Sequence, residues 1–274
     1  MGTLFIVATP IGNLEDITYR AVRILDEVSL IAAEDTRTTG KLLDHYQIST
    51  RLTSYHEHNK EEKIAALIEH LREGNLALVS DAGTPGINDP GFNLIRAALK
   101  AGHAVVPIPG PSSLIAALSA SGLPTDSFHF LGYIPRKSSH RKKVFQKVKD
   151  EPYTLIFLES PHRILDSLPE MEVVFGDRDI AVARELTKLH EEIFRGRLTE
   201  AVEHFREQEP RGEFTLVVKG ASPLDQKWSR EKLLDELQKL HREDRLPPSK
   251  IAKDVAERSK WARRTVYQLL QDLA

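Results

Sequence analysis

Short apolar segments alternate with segments of helical periodicity over the first 125 residues, and this alternation restricts the possible folds more than any other feature of the sequence. The apolar segments are five or six residues long and end at turn residues, as buried strands do. They are Thr3–Ala8, Ser29–Ala33, Leu76–Ser80 and Ala104–Ile108. The helical segments are Tyr19–Val28, Glu61–Arg72, Phe92–Lys100 and Ser112–Ser121. Strands that alternate with helices form a largely parallel sheet, so the sequence predicts an α/β fold here.

The pattern changes after Pro124, where strands become more frequent and helices fewer. The predicted strands are Thr154–Leu158, Ile180–Ala183, Glu192–Arg195 and Phe214–Lys219, and the predicted helices are Ile164–Phe175 and Leu198–Gln208. A polar segment, Gly220–Lys227, then precedes three short helices at Ser229–Glu243, Ser249–Glu257 and Ala262–Asp272. We therefore predict two α/β domains, residues 1–122 and 123–220, the second with mixed strand directions. Residues 226–274 are predicted to form a small C-terminal module resembling a helix-turn-helix.

Composition excludes several kinds of chemistry. The chain has no cysteine, which excludes disulfides, Cys-ligated zinc, iron–sulfur clusters and thiol nucleophiles. The segments His56–His58 and His190–Glu192 lack the HExxH spacing of zinc enzymes, so no metal site is predicted. The N-terminus lacks the pattern of a signal peptide, and no apolar run reaches the roughly 18 residues of a membrane span. A cytoplasmic protein without a membrane partner is therefore expected.

Charge is distributed unevenly along the chain, although the total is only −2. Residues 226–274 contain 12 basic and 8 acidic residues, a net charge of +4, and the rest of the chain contains 26 basic and 32 acidic residues, a net charge of −6. Within the acidic part, Arg136–Lys149 contains seven basic residues and no acid. Such a cluster indicates either an anionic partner or an ordinary solvated helix face.

Three loops rich in Gly and Pro follow strands of the first domain: Thr9–Asn13, Asp81–Gly91 and Pro109–Ser113. Ligands of open α/β sheets bind beyond the carboxyl ends of the strands, so these loops predict one binding site. They contain neither GxGxxG nor GxxxxGK, which disfavours nucleotide phosphates. A flat heterocycle with a zwitterionic amino acid fits better, because Asp81 could accept a hydrogen bond from an ammonium group.

Six segments in one order resemble a known family, the tetrapyrrole-methylase-like S-adenosylmethionine-dependent methyltransferases. They are Ala8–Thr18, Ala32–Arg37, Leu78–Gly91, Pro109–Pro124, Leu158–Ile164 and Ala183–Glu192. Members that methylate tetrapyrrole rings usually carry a GxGxGD-like first loop and a GDP-type second loop, whereas this chain has TPIGN and SDAGTPGINDPG. The departure favours the branch of the family that acts on ribosomal RNA.

The resemblance implies a two-domain enzyme that binds S-adenosylmethionine in the cleft between its domains, usually as a homodimer. It also implies methyl transfer to the ribose 2′-hydroxyl of a decoding-region cytidine in the 16S RNA of the small ribosomal subunit. The cofactor contacts it implies are Pro10, Ile11, Asp81, Ala82, Gly83, Ile87, Ser112, Ser113, Leu158, Leu186 and Glu213. With an RNA substrate, the basic cluster is expected to bind phosphate through Arg136, Lys137, Arg141, Lys142 and Lys143.

Methyl transfer needs alignment of the two reactants, and a base or a stabilising field would help a weakly acidic ribose hydroxyl. Two segments that follow strands offer candidate side chains. The candidate side chains are Glu34, Asp35 and Arg37 in the first segment and Arg184, Glu185 and Lys188 in the second. Each set fits equally well a salt-bridged strand end that holds the cleft closed.

Two other functions remain open at the level of sequence. One is a methyltransferase for a tetrapyrrole or related small molecule, against which the basic cluster and the basic tail argue. The other is a nucleic-acid-binding regulator that reads DNA through its last helices and uses the α/β body as a ligand sensor. A charge excess of +4 in the tail is small for an autonomous DNA-binding domain.

Overall fold

The computed structural model describes residues 2–207, 210–222, 228–243 and 247–273. Residues 223–227 of the predicted polar segment lie outside the described residues, as do Gln208, the predicted end of one helix, and Ala274. The α/β fold is confirmed: two five-stranded sheets are followed by a helical tail. No helix within the described ranges is long and apolar enough to cross a membrane.

The first sheet is entirely parallel, with the strand order β3-β2-β4-β1-β5. Its strands are β1 (Thr3–Val7), β2 (Leu30–Ala33), β3 (Leu52–Ser54), β4 (Leu76–Val79) and β5 (Ala104–Ile108). Its helices are α1 (Tyr19–Glu27), α2 (Thr36–His45), α3 (Lys60–Glu73) and α4 (Phe92–Lys100). Side chains of α1 and α2 pack on one face of the sheet and those of α3 and α4 on the other, because alternate strand residues point to opposite faces. The carboxyl ends of all five strands therefore lie along one edge.

The second sheet has mixed strand directions, as the sequence predicts. Its strands are β6 (Phe128–Tyr133), β7 (Thr154–Glu159), β8 (Asp179–Arg184), β9 (Glu192–Arg197) and β10 (Phe214–Val218), in the order β6-β7-β10-β8-β9. Only the β6–β7 pair is parallel in this sheet. Its helices, α6 (Ser138–Val148), α7 (Ile164–Phe175) and α8 (Leu198–Arg206), cover one face.

The other face of the second sheet is covered by α5 (Ser113–Ser121). Ala117 and Leu118 of this helix share a buried cluster with Ile156, Ala181 and Val217 of the sheet. The sequence placed α5 in a first domain ending at residue 122, whereas packing groups it with the second. The reason is that its apolar residues face strand residues that lie 38 to 100 positions later in the chain, a contact that periodicity does not show.

The tail consists of α9 (Arg230–Glu243), α10 (Pro248–Ser259) and α11 (Arg263–Gln271). A hydrophobic cluster that includes Leu233, Ile251 and Val266 joins all three helices. Trp261 donates its indole N–H to the carbonyl of Trp228 at 2.7 Å, and Trp228 is buried in the same cluster. The two tryptophans therefore contribute to the core of the tail.

Candidate functional site

A cavity of about 410 Å³ lies where loops at the carboxyl edge of the first sheet meet the second sheet. The loops that follow β1, β2, β4 and β5 line one side. Residues of β6, β7, β10 and the β8–β9 loop line the other. Its volume is that of a small-molecule site, and its position is the one that the parallel sheet predicts.

Hydrogen bonds join the three Gly/Pro loops into one wall. Thr9 and Gly83 exchange two backbone bonds of 2.9 and 3.0 Å, and the Thr84 hydroxyl donates to the carbonyl of Pro111 at 3.4 Å. Gly83 has a φ of +82°, and Asn88 in the same loop has a φ of +65°. Glycine adopts such a conformation without strain and asparagine tolerates it better than most residues, so the loop sequence suits this geometry.

Gly12 allows the first domain to approach the second closely. A Cβ atom at Gly12 would lie 2.4 Å from Cγ of Lys188 and 2.9 Å from the carbonyl oxygen of Leu186. The β8–β9 loop that it meets is unusual, because Glu185 and Thr187 both have left-handed backbone conformations, with φ of +51° and +67°. The two sides of the cavity therefore touch, and a strained loop forms the contact.

Carboxyl groups dominate the charge of the cavity. Glu34, Asp81, Asp89 and Glu213 line it together with Glu185, which is paired with Lys188 at 2.7 Å. Among its lining residues in the described part of the chain, Lys188 is the single Lys or Arg. A site with this excess of negative charge favours a ligand that carries net positive charge.

Three of these carboxyl groups have raised pKa values because they are buried and lie close to one another. Burial is the main cause that raises the pKa of Asp89 to about 6, and the charges of Asp81 and Glu213 add to it while a hydrogen bond from Ser80 opposes it. Burial, followed by the charges of Asp89 and Asp81, raises the pKa of Glu34. Burial also raises the pKa of Asp81, against the hydrogen bond that its Oδ1 accepts from the Asp35 N–H at 3.0 Å. Asp89 is therefore a carboxyl group that is basic enough to take up a proton near neutral pH.

The cavity brings together all but one of the cofactor contacts that the family resemblance implies. Those that line it are Ile11, Asp81, Ala82, Gly83, Ile87, Ser112, Ser113, Leu158, Leu186 and Glu213. Pro10 does not line it and instead lies between Thr9, which is bonded to Gly83, and Ile11.

The six candidates for catalysis separate into two groups. Glu34, Glu185 and Lys188 line the cavity. Asp35 instead caps α2, accepting a bond from the Arg37 N–H at 2.8 Å, and pairs with the Arg37 guanidinium, which lowers the pKa of Asp35 to about 2. Arg184 pairs with Glu192 at 2.7 Å across the β8–β9 pair. Asp35, Arg37 and Arg184 therefore stabilise strand and helix ends outside the cavity.

Sequence reasoning missed several residues that line the cavity. They are Thr84, Asn88, Asp89, Leu114, Phe130, Tyr133, Ala183, Phe214 and Thr215. Asn88 and Asp89 lie in the second Gly/Pro loop, whose density of turn residues was a usable signal. Phe130 and Tyr133 lie on β6, which the sequence did not predict as a strand.

The basic cluster lies on the segment before α6 and on α6 itself. Arg136, Lys137, Lys142 and Lys143 are exposed. Arg141 is only 4% exposed, and its guanidinium donates two bonds, of 2.8 and 2.9 Å, to the carboxylate of Glu170 on α7. The expectation that Arg141 binds RNA phosphate is wrong, because this side chain points into the protein and is already paired.

No group of three or more His, Asp or Glu side chains is arranged to hold a metal ion within the described ranges. Around His56–His58, Asn59 accepts a bond from the His56 N–H at 2.8 Å, and Glu57 pairs with Lys60.

Comparison with known proteins identifies relatives over most of the chain. Residues 3–202 match the family described as "Tetrapyrrole (Corrin/Porphyrin) Methylases". The "Ribosomal RNA small subunit methyltransferase I" of Halalkalibacterium halodurans is 54% identical over 80% of this chain and 76% of its own. The protein of that name from Synechocystis is 49% identical over 100% of this chain and 99% of its own. The one from Thermotoga maritima is 47% identical over 221 residues, which are 80% of this chain but 99% of its own, so it has no counterpart to about a fifth of this chain.

A solved structure shares the fold. The crystal structure of uroporphyrin-III-C-methyltransferase from Thermus thermophilus superposes with a TM-score of 0.55, covering 79% of this chain and 94% of that one. The two sequences are 22% identical, so the likeness concerns architecture and does not decide the substrate.

Proposed function

The chain belongs to the tetrapyrrole (corrin/porphyrin) methylase family and is a methyltransferase, and we propose that it acts on ribosomal RNA. Its substrate is the ribose 2′-hydroxyl of a decoding-region cytidine in the 16S RNA of the small ribosomal subunit, and its methyl donor is S-adenosylmethionine. The observation that carries the proposal is the carboxylate-rich cavity, which is built from the predicted loops. It lies in a chain that is 49% identical over its full length to the ribosomal RNA small subunit methyltransferase I of Synechocystis.

The residues of the cavity fit this cofactor. S-adenosylmethionine carries an ammonium, a sulfonium and one carboxylate, so its net charge is positive, which suits a site lined by Glu34, Asp81, Asp89 and Glu213. Asp81 would accept a hydrogen bond from the ammonium, and the backbone of the Gly/Pro loops would bond to the polar edges of the ligand. Ile11, Leu158 and Leu186 supply the apolar wall for a flat ring.

The bound cofactor supplies a methyl group that is already activated by its positive sulfur, so the protein needs no metal for the transfer. Its own residues align the ribose hydroxyl, exclude water between the two domains and remove a proton. We assign the proton acceptor to the carboxylate of Asp89, because it lines the cavity and is ionised at neutral pH yet retains a pKa of about 6. Glu185 and Lys188 neutralise each other and hold the β8–β9 loop that closes one side.

The RNA substrate is favoured over the alternatives by the names of the relatives and by charge. Exposed Arg136, Lys137, Lys142 and Lys143 lie on one segment and would bind successive phosphates of an RNA chain. The likeness to a porphyrin methyltransferase concerns the fold alone. A DNA-reading regulator does not account for a methylase domain that fills residues 3–202.

The proposal includes the cytoplasm as the compartment, since ribosomes are assembled there, and a homodimer as the assembly. Phe92 and Leu99 lie seven residues apart on α4, and therefore on one face, and are 65% and 59% exposed. A second copy of the chain would cover such an apolar face.

Mass mapping of the 16S RNA tests the function. Purified protein incubated with S-adenosylmethionine and small subunits from cells that lack the gene should add one methyl group to a cytidine ribose, and the same mark should be absent from those cells. A methylated base, or no transfer to RNA at all, would refute the proposed reaction.

A further inference from the structure

A second cavity, of about 690 Å³, adjoins the first across the side chain of Tyr133, which lines both. It lies where the segments that follow β6 and β7 meet, since parallel neighbours end at the same edge of a sheet. Its other lining residues are Ile134, Pro135, Arg136, Ser160, His162 and Arg163. Apart from Arg136, which belongs to the basic cluster, none of these lining residues has been assigned a role in binding or catalysis.

The floor of this second cavity is rigid. The carboxylate of Glu159, which is 0% exposed, accepts bonds from the Ser160 N–H at 2.8 Å and from the Ser167 hydroxyl, and pairs with Arg163 at 2.6 Å. Arg163 also donates to the Ser160 hydroxyl at 2.9 Å and to the carbonyl of Ile134 at 3.0 Å. One buried ion pair therefore fixes the segments after both strands, as a preorganised binding site requires.

Charge separates the two cavities. The first is lined by carboxylates, whereas the second is lined by Arg136, His162 and Arg163, with no carboxylate among its lining residues in the described part of the chain. Arg163 forms an ion pair with Glu159. In contrast, Arg136 and His162 are exposed and form no ion pair with any described residue. A cationic ligand is therefore favoured in the first cavity, and an anion is favoured in the second.

We propose that the second cavity binds the phosphate next to the methylated ribose of the RNA, through Arg136 and His162. This proposal rests on the proposed function and specifies where its substrate lies. Tyr133, which is 46% exposed at the junction, stacks on the sugar or base of the reacting nucleotide and places the ribose at the mouth of the first cavity. Lys137, Lys142 and Lys143 extend the phosphate path along α6.

The test compares Arg136→Ala, His162→Ala and the double variant with Arg51→Ala, all in the full chain. Arg51 is an exposed arginine directly before β3, at the amino end of the first sheet and thus opposite the cavities. Binding of a short fluorescent single-stranded RNA is measured over a range of salt concentrations, S-adenosylmethionine affinity by calorimetry, and KM and kcat on small subunits. The double variant should bind RNA at least about tenfold more weakly, and its salt slope should fall by about 0.7, the contribution of the one arginine contact to phosphate.

Cofactor affinity should stay within about twofold of the wild type, and the loss should appear in KM. Tyr133→Phe should retain RNA binding because stacking is kept, whereas Tyr133→Ala should lose it. If the variants match Arg51→Ala in salt slope and KM, or if they lose cofactor affinity to the same degree as RNA affinity, the subsite is refuted. If the wild type binds RNA without methylating it, the proposed function is wrong, and the RNA titrations still decide on the subsite.

Discussion

At the scale of single residues, the carboxylate of Asp81 accepts a hydrogen bond from the Asp35 N–H and, in the proposed complex, a second one from the ammonium of the cofactor. Asp81→Asn keeps an oxygen for the N–H but removes the charge, so it isolates the contribution to binding. We expect both Asp81→Asn and Asp81→Ala to weaken S-adenosylmethionine binding by more than about 1.5 kcal/mol, the scale of a charge-assisted hydrogen bond. Calorimetry with chelator present measures this. Unchanged affinity in the folded Asn variant would show that this position of the loop is structural.

Asp89 should give the reaction its pH dependence. Because burial raises its pKa to about 6, the carboxylate that accepts the proton accumulates as the pH rises, and kcat should increase through pH 6. Asp89→Asn should lower kcat by about 10²-fold or more and remove this increase. Single-turnover rates at saturating cofactor, measured from pH 5 to 8, check it. A profile that is the same in the Asn variant would exclude Asp89 as the acceptor.

The same group affects the stability of the protein in the opposite direction. Its folded-state pKa is raised above the ordinary value of 3.8, so the folded state holds the proton more tightly than the unfolded chain. The contribution of Asp89 to the free energy of unfolding should therefore fall as the pH rises from about 4 to about 6 and then level off, which the difference between wild type and Asp89→Asn isolates. Asp89→Asn should be at least as stable as the wild type at pH 7. Chemical denaturation across this pH range would show it, and a clearly less stable variant would contradict it.

At the scale of secondary structure, α6 places neighbouring cations in different roles. We expect the double change Lys142→Glu and Lys143→Glu to lower RNA affinity and flatten its salt dependence, with cofactor affinity and melting temperature unchanged. An unaltered salt slope would assign these lysines to solubility.

Arg141 on the same helix should act on stability instead. Arg141→Ala removes the ion-pair partner of Glu170, which then keeps only the bond from the Ser138 hydroxyl in a mostly buried position, and this should cost about 3 kcal/mol of unfolding free energy. The arginine holds the pKa of Glu170 at about 2, so the stability from this pair is present above pH 4.5 and is lost as the pH falls toward 2. Urea titrations at pH 7 and pH 3 measure both effects. Equal stability of wild type and variant at pH 7 would contradict the role of the pair.

The sequence predicts a helix or strand well where its apolar residues recur at a regular spacing. It predicts poorly where an element has few apolar or few buried residues. The four predicted strands of the first sheet lie where β1, β2, β4 and β5 are found, because each is a short, largely apolar run bounded by turn residues. The sequence does not predict α2, whose segment TRTTGKLLDH has few apolar residues. Nor does it predict β3, which is only three residues long, or β6, of whose six residues only one is buried.

At the scale of the whole molecule, the loops of the cavity could be predicted, but the side facing them could not. Parallel strands bring their carboxyl ends together, which follows from topology alone, so the loops Asp81–Gly91 and Pro109–Ser113 could be predicted from the sequence, and the family resemblance implied the individual contacts within them. Phe130 and Tyr133 lie in the site only because the second sheet docks there. That docking depends on contacts distant in sequence, such as those of α5 with β8 and β10, which no local pattern encodes.

The tail is the part of the molecule whose removal we expect to separate docking from catalysis. Its cluster of Leu233, Ile251 and Val266, with the bond between Trp228 and Trp261, is made within the tail, so the body loses no core residue of its own when the chain ends after Ser222. The tail carries a net charge of +4, and α11 begins with exposed Arg263 and Arg264, three residues after exposed Lys260, as a surface that contacts RNA would.

A chain of residues 1–222 should therefore keep its affinity for S-adenosylmethionine and melt within a few degrees of the full protein, because the ordered body is unchanged. Its KM for the assembled small subunit should rise while kcat stays near the full-length value, since the tail adds binding energy without touching the reacting groups. The full chain with Arg263→Glu and Arg264→Glu should show the same rise in KM. Unfolding or loss of cofactor in the truncated chain would make the tail a packing element of the body, and an unchanged KM in both proteins would leave its positive charge without a role in docking.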